Sequence, residues 1–506
     1  MQMMELEESI SLEIQLLEVL KHESEWRTTE ELSKLLNVSY KKTGTLIDNL
    51  IWKISRFNSE QIILKSVRGR GIILKIGSIR AYNKFRREII EDILVYKIIF
   101  SIVLNKGTNI VNISLENFVS ESLIKKKIAK ANEFFKRWEV KIVTRKKECM
   151  FVGKESQIRL MLYSLFWRLY RGEEWPFLYI EQSLVNDMIR KLIANLNIDI
   201  SESVCKKLSY IFAINYSRVN LEKTIEMNDD INNYASLCLW IDEQTNIYKF
   251  FNQKYCFSKT EVDFFIFEII IQSEVFERIF NNPFQFKMLV QNTPAYLATQ
   301  RIIERYNEYF GNLTEEQYIL FFMYLYPCHL YADLFYNPLF SESGYYSLNI
   351  ISQYVPKMRN ELIKITNSLY IESGLKLFIN KDYLITKYLL ILSEFLSITF
   401  KEEEITVLID TDASELTEKF LKKQINNRFS LLYNVKFLSK TKDIQKNKNN
   451  IDIIITTNCL NNYDYLGEGL EIFIVKLFPS QRDWNDIENY LFSLNKKKYT
   501  QKEIIF

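Results

Sequence analysis

The sequence predicts a multidomain, mainly α protein. It has two helix–turn–helix–hairpin units at the front, an all-helical middle and a small α/β layer at the end. Three observations predict this. A short helix, a Ser-capped second helix and a basic hairpin occur twice before residue 155. Residues 156–396 carry apolar side chains at spacings of three and four with few interruptions. From Glu402, short apolar runs alternate with helical pattern. At 506 residues the chain can hold several domains of roughly 100–200 residues each.

The first unit opens with a helix over Glu5–Glu23, whose Ile10, Ile14, Leu17 and Leu20 share one side. Thr28 caps a short helix to about Leu36, with Leu32, Leu35 and Leu36 facing inward. Asn37-Val38 breaks it. Ser39 offers an oxygen to the N–H groups one turn on and so starts the next helix. Leu46, Ile47, Leu50 and Ile54 give that helix one buried stripe, leaving Tyr40, Lys41, Lys42 and Thr45 on its exposed early turns. Ile62–Val67 and Ile72–Ile76 read as strands around the turn Arg68-Gly69-Arg70-Gly71. This is the plan of a winged helix-turn-helix, in which the second helix enters the DNA major groove and the wing touches the flanking backbone.

Ser78–Leu104 is helical and basic at its start, with Arg80, Lys84, Arg86 and Arg87. Its second half supplies the first helix of a second unit, and Ser114–Phe118 a short second helix. Ser120 caps a helix to about Trp138, with Ile124, Ile128, Ala131, Phe134 and Phe135 inward. Val140–Val143 and Cys149–Val152 flank a second wing. Candidate DNA contacts are Ser39, Tyr40, Lys41, Lys42 and Thr45 on the first helix, and Ser120, Ser122, Lys125, Lys126, Lys127 and Lys130 on the second. The wings add Lys65, Arg68 and Arg70, then Arg145, Lys146 and Lys147. Lysine neutralises phosphate but does not pair bidentately with base edges as Arg or Asn do. The expectation is salt-sensitive binding that reads the shape and bendability of AT-rich DNA more than a strict sequence.

Charge is divided along the chain. Residues 1–154 hold 28 Lys and Arg against 19 Asp and Glu, the remainder 38 against 44. A basic front and a mildly acidic rear fit a phosphate-binding end and a separate sensing or assembly end. Only 12 Gly and 7 Pro argue against long linkers and a glycine-rich nucleotide site. The six cysteines (149, 205, 238, 256, 328 and 459) form no CxxC pair, which points to a reduced cytoplasm with neither zinc nor disulfides. The acidic N-terminus lacks the basic start and apolar run of a signal peptide. Tyr318–Ala332, the most apolar stretch, is short for a span of roughly 20 residues and reads as a buried helix. Of two histidines, His22 lies near the end of the first helix, where it favours the helix dipole, and His329 follows Pro327 in the apolar stretch.

Val119-Ser120-Glu121-Ser122 with the helix to Phe135, then Phe151-Val152-Gly153-Lys154-Glu155, Ile158-Arg159 and Leu165-Phe166, resembles the Mga/AtxA family of virulence regulators of Gram-positive bacteria. The resemblance implies five parts. They are two winged helix-turn-helix domains (1–77 and 78–155), two all-helical PTS-regulation domains, or PRDs (156–283 and 284–400), and a C-terminal EIIB-like α/β domain (401–506). It also implies histidine phosphorylation by a PTS phosphocarrier, for which His329 is the candidate, and a homodimer through the EIIB-like domain. As residues, the aromatics of the middle read as core, and His329 more simply as a packed or solvent-facing side chain. Leu208–Arg218 and Gln317–His329 stand in similar local contexts, as equivalent helices of duplicated domains would. In the last domain, Ile405–Ile409, Val435–Leu438, Ile451–Thr456 and Ile472–Val475 read as strands. Asp412–Glu415 reads as a capping-box start to a helix, Asp483–Leu494 as the last helix, and Lys496-Lys497-Lys498 as a solvated tail. An EIIB enzyme places a cysteine after its first strand, where this chain has Asp410-Thr411-Asp412-Ala413. Phosphotransfer therefore lacks its nucleophile. The expected function is a DNA-binding, PTS-modulated transcription activator and not an enzyme, with no cofactor. The alternatives are a PTS-linked RNA antiterminator or a phosphotransfer component.

Overall fold

The computed structural model describes residues 8–21, 25–104, 108–226, 229–280, 283–336, 350–412, 414–438, 450–457 and 470–503. His22, Ala413 and Cys459 lie outside them. Contacts divide the chain into two compact units, Met1–Ile269 and Ile270–Phe506. Both are mainly helical.

The first unit begins with α1 (Glu8–Lys21), α2 (Thr29–Leu36), α3 (Tyr40–Phe57) and the antiparallel hairpin β1 (Ile62–Val67) and β2 (Gly71–Ile76). Thr28 and Glu31 form a full capping box on α2. Leu35 does not face inward as its neighbours do: it is 58% exposed, and Ser33 is buried beside Leu32 and Leu36. The basic linker is two helices, α4 (Ile79–Glu91) and α5 (Leu94–Leu104). Next come α6 (Ile110–Glu116) and α7 (Glu121–Phe135), a single 3₁₀ turn over Lys136–Trp138, and the hairpin β3 (Lys141–Arg145) and β4 (Glu148–Val152). The short helix expected at Ser114–Phe118 thus lies earlier: Asn109 caps it through a 2.8 Å bond from Val111 N–H, and Phe118 is already in the turn. α8 (Glu155–Tyr170), α9 (Gln182–Asn195), α10 (Glu202–Asn220), α11 (Asp229–Asn232), α12 (Ala235–Thr245), α13 (Ile247–Tyr255) and α14 (Lys259–Ile270) follow. α10 is central here, with Tyr210 and Phe212 each meeting several aromatic rings.

In the second unit α15 (Ser273–Ile279), α16 (Pro283–Val290), α17 (Pro294–Phe310) and α18 (Glu315–Leu334) lead to α19 (Ile350–Tyr354), α20 (Pro356–Ser373) and α21 (Lys381–Phe395). α18 runs through Pro327 and is buried over most of its length, as expected for the apolar stretch. The closing layer comprises β5 (Ile405–Asp410), α22 (Glu415–Phe429), β6 (Val435–Leu438), β7 (Ile453–Thr456), β8 (Glu471–Ile474) and α23 (Gln481–Glu503). The strands are all parallel in the order β6-β5-β7-β8. β5 is buried at every position, as a central parallel strand must be. Ser414, not Asp412, caps α22 through Thr417 N–H. Lys496–Lys498 lies within α23 and not in a tail: Lys496 and Lys497 are exposed as expected, while Lys498 Nζ bonds the Asp452 carboxylate at 2.6 Å. Among the described residues no helix is long and apolar enough to cross a membrane.

Candidate nucleic-acid interface

The two helix-turn-helix turns share one backbone plan. α2 runs into Asn37 (φ 52°), the Val38 N–H donates to the Ser33 carbonyl at 3.0 Å, and Ser39 Oγ accepts from Lys42 N–H at 3.3 Å. α6 leads to Phe118 (φ 53°), the Val119 N–H donates to the Ser114 carbonyl at 3.0 Å, and Ser120 Oγ accepts from Leu123 N–H at 3.2 Å. Such bonds pair carbonyls left over at a helix end, and the serine pairs an N–H left over at the next start. Asn tolerates the left-handed backbone. Phe does not, at a cost of roughly 1–2 kcal/mol, and Phe118 is held there 96% exposed.

The wings match as well. Arg27, just before α2, exchanges backbone bonds of 2.9 and 2.7 Å with Ile72 of β2. Before α6, Cys149 N–H donates to the Thr108 carbonyl at 2.7 Å and Ile110 N–H to the Lys147 carbonyl at 2.9 Å. Gly71 is required by that approach: its φ is 104°, and a Cβ would lie 2.3 Å from the Arg27 carbonyl oxygen. The second tip turns on Lys146 (φ 47°) and Lys147 (φ 71°), a shape that Asn-Gly adopts with less strain.

On this frame Tyr40, Lys41 and Thr45 are exposed on α3, and Ser122, Lys125, Lys126 and Lys130 on α7. Lys65, Arg68 and Arg70 stand exposed on the first wing, Arg145, Lys146 and Lys147 on the second. Lys127 is half-buried. Ser39 and Ser120 use their oxygens as caps, so they set where each helix begins, and Thr45 donates to the Lys41 carbonyl at 3.2 Å. Lys42 is half-buried and donates to the Glu8 carboxylate at 2.5 Å. That hydrogen bond and the Lys42 charge hold Glu8 below the usual carboxylate range, with a smaller pull from Lys130.

Residues 80–166, from α4 through the second wing into α8, match the Mga helix-turn-helix domain. The front of the chain carries an Mga domain. The chain is 25% identical over 227 residues to the capsule synthesis positive regulator AcpB of Bacillus anthracis (44% of this chain, 45% of that protein). It is 22% identical over 227 residues to AcpA, another capsule synthesis positive regulator of that organism (44% and 45%). It is 24% identical over 213 residues to the anthrax toxin expression trans-acting positive regulator (42% and 43%). The chain thus spans a little under half the length of the curated relatives it matches. Each of these relatives is named as a positive regulator, two of capsule synthesis and one of anthrax toxin expression.

Within the Mga domain, sequence reasoning missed Asn132. Its Nδ2 donates to the Ile142 carbonyl at 2.8 Å, and its Oδ1 accepts from Ile142 N–H at 2.7 Å, fastening α7 to β3. An amide on a helix turn otherwise given to lysines and core residues was the available signal. The Mga domain exits through Arg159 of α8, which is fully buried. Its guanidinium bonds Glu261 of α14 at 2.6 and 3.0 Å and Glu155 at 3.2 Å, while Arg218 of α10 bonds Glu155 twice at 2.8 Å.

His329, the candidate phosphorylation site in the second unit, is fully buried. Nδ1 lies 2.7 Å from the Thr299 hydroxyl and Nε2 2.7 Å from the Tyr388 hydroxyl. Burial pushes its pKa down to about 3, so the ring is neutral. Among the described residues, no cluster of His, Cys, Asp and Glu is arranged to hold a metal ion.

Proposed function

We propose that this protein is a transcription activator that grips duplex DNA with two winged helix-turn-helix units, one spanning 1–77 and the other, which the Mga match overlaps, 78–155. The observation that carries this reading is the repeated turn, left-handed residue–Val–Ser, each time presenting a lysine-bearing helix with a basic wing beside it. Activation follows the positive regulators it is similar to. Lysine supplies charge without bidentate base reading, so backbone and groove shape dominate recognition. Mobility shift on duplex DNA tests this: Lys125→Glu/Lys126→Glu/Lys127→Glu is expected to lower affinity at least tenfold and flatten the salt dependence. Equal binding by wild type and triple variant at low salt would overturn it.

The rest of the reading is regulatory. Residues 156–283 and 284–400 act as two PRD-like domains, with α10 and α18 as their matching central helices. Residues 401–506 act as an EIIB-like assembly domain, supported by the parallel order β6-β5-β7-β8 and by exposed Leu416, Phe420 and Phe478. A homodimer through this domain is expected, and a chain ending before Glu402 should be monomeric by light scattering. A PTS phosphocarrier remains the proposed partner for control. His329 serves packing: with both ring nitrogens bonded and no surface, it is expected to stay unlabelled by phosphorylated carrier protein in the native chain.

A further inference from the structure

We propose that the turn between α6 and α7, with the groove beside it, is a docking surface for RNA polymerase, which would meet it with an apolar recess edged by Lys or Arg. The proposal rests on the activator reading and names its partner surface. The two helix-turn-helix turns share a backbone but not a surface. Counted from the capping serines, Lys34, Asn37 and Lys42 in the first copy stand where the second has Leu115, Phe118 and Leu123. All three apolar side chains are exposed, Leu115 by 69% and Phe118 more fully still. The shared frame does not require them, since polar residues build the same turn. Nor does it require Phe on left-handed backbone, which Asn37 occupies with less strain. An exposed aromatic kept at a cost in backbone strain points to a use outside the fold.

The same turn edges a groove of about 730 Å³. Glu116 and Asn117, which separate Leu115 from Phe118 in the chain, line it with Phe100, Leu104 and Leu178, the last 88% exposed. Charge selects the occupant. Glu116 and Glu121 flank Phe118, and Lys97 of the groove is paired with Asp92 at 3.2 Å. Carboxylates at this spot repel phosphate and turn it away from DNA, while they complement basic side chains on a protein. Three exposed apolar side chains and one groove are a small patch for an obligate homodimer, which buries roughly 2,000–5,000 Å². They suit a transient contact with Phe118 as its aromatic anchor. An activator held on DNA beside a promoter has the polymerase as its transient neighbour.

The test uses the full chain on an AT-rich duplex that it shifts, with purified RNA polymerase holoenzyme of a Gram-positive bacterium. Phe118→p-benzoylphenylalanine is irradiated in that mixture, and the expected product is a cross-link to a polymerase subunit. Leu115→Gln/Phe118→Asn should recruit polymerase to the duplex at least tenfold more weakly, with DNA affinity within threefold of wild type and a melting temperature no lower. Glu116→Lys should weaken recruitment at least threefold, a difference that added salt narrows. A label on DNA would make Phe118 a groove contact, and a label on a second copy of this chain a self-association contact; either result overturns the proposal. So does the absence of a polymerase cross-link, or undiminished recruitment by the Leu115/Phe118 variant. The mobility shift without polymerase scores DNA binding separately. A chain that shifts the duplex and ignores polymerase therefore sinks the docking surface and leaves the DNA reading standing.

Discussion

Glu268 lies deep in the first unit, where Asn215 Nδ2 donates to its carboxylate at 2.6 Å. Burial pushes its pKa up to about 8, against smaller opposite effects from Asn215 and Arg159 and a reinforcing one from Glu261. The native state therefore holds a proton that the unfolded chain releases near 4.5. Stability from this group is complete below that value and is lost as pH rises through about 8. Glu268→Gln should flatten the fall of melting temperature across that window and stabilise the protein at its alkaline end, which melts at stepped pH will read. Glu8 makes a second prediction at this scale. Glu8→Gln frees Lys42 for phosphate, so DNA affinity should rise by a factor below about ten and the gain should shrink with added salt. Neither side chain announced its role in the sequence. A buried glutamate and an exposed one share a letter, and only the surrounding helices tell them apart.

The second wing tip shows a conflict between local preference and position. Two consecutive lysines occupy left-handed backbone at Lys146 and Lys147 where Asn-Gly would be relaxed. Strain of this kind persists where the side chains have work to do. Lys146→Asn/Lys147→Gly is expected to stabilise the protein by about 1–2 kcal/mol in denaturant melts and to reduce the salt slope of DNA binding by about 2. Unchanged DNA binding would remove this wing from the interface. Most elements were legible: α3, β1, α18 and the closing strands follow from cap residues and apolar period. What misled was local. Ser114 resembles a cap yet sits inside α6, because Asn109 takes that task five residues earlier and Ser114 supplies the carbonyl for the turn. Leu35 fits the helical stripe but lies just outside its buried arc. The sequence identified which helices bear lysine; the pairing of each wing with the segment before α2 or α6 depended on contacts distant in the chain.

Across the first unit, a buried charge cluster joins the Mga domain to the helical region behind it. Arg159 with Glu261, and Arg218 with Glu155, tie α8, α10 and α14 together, and Arg159 also donates to the Lys223 carbonyl at 3.0 Å. Removing one member strands its partner in a dry interior. Arg159→Met should therefore cost about 3–5 kcal/mol, while Arg159→Met/Glu261→Leu should recover much of it, as denaturant melts of both would show. A hydrophobic pair that restored stability but uncoupled DNA affinity from any effector would assign the cluster to signalling and not to folding. Asn132 bears on this larger scale too. Because both ends of its amide bond the backbone of Ile142, movement of the wing is coupled to movement of α7. A duplex with an ill-matched groove must be met by tilting the whole unit or by bending the duplex itself. The penalty for misfit then falls on the nucleic acid, and promoters would be sorted by their pliancy.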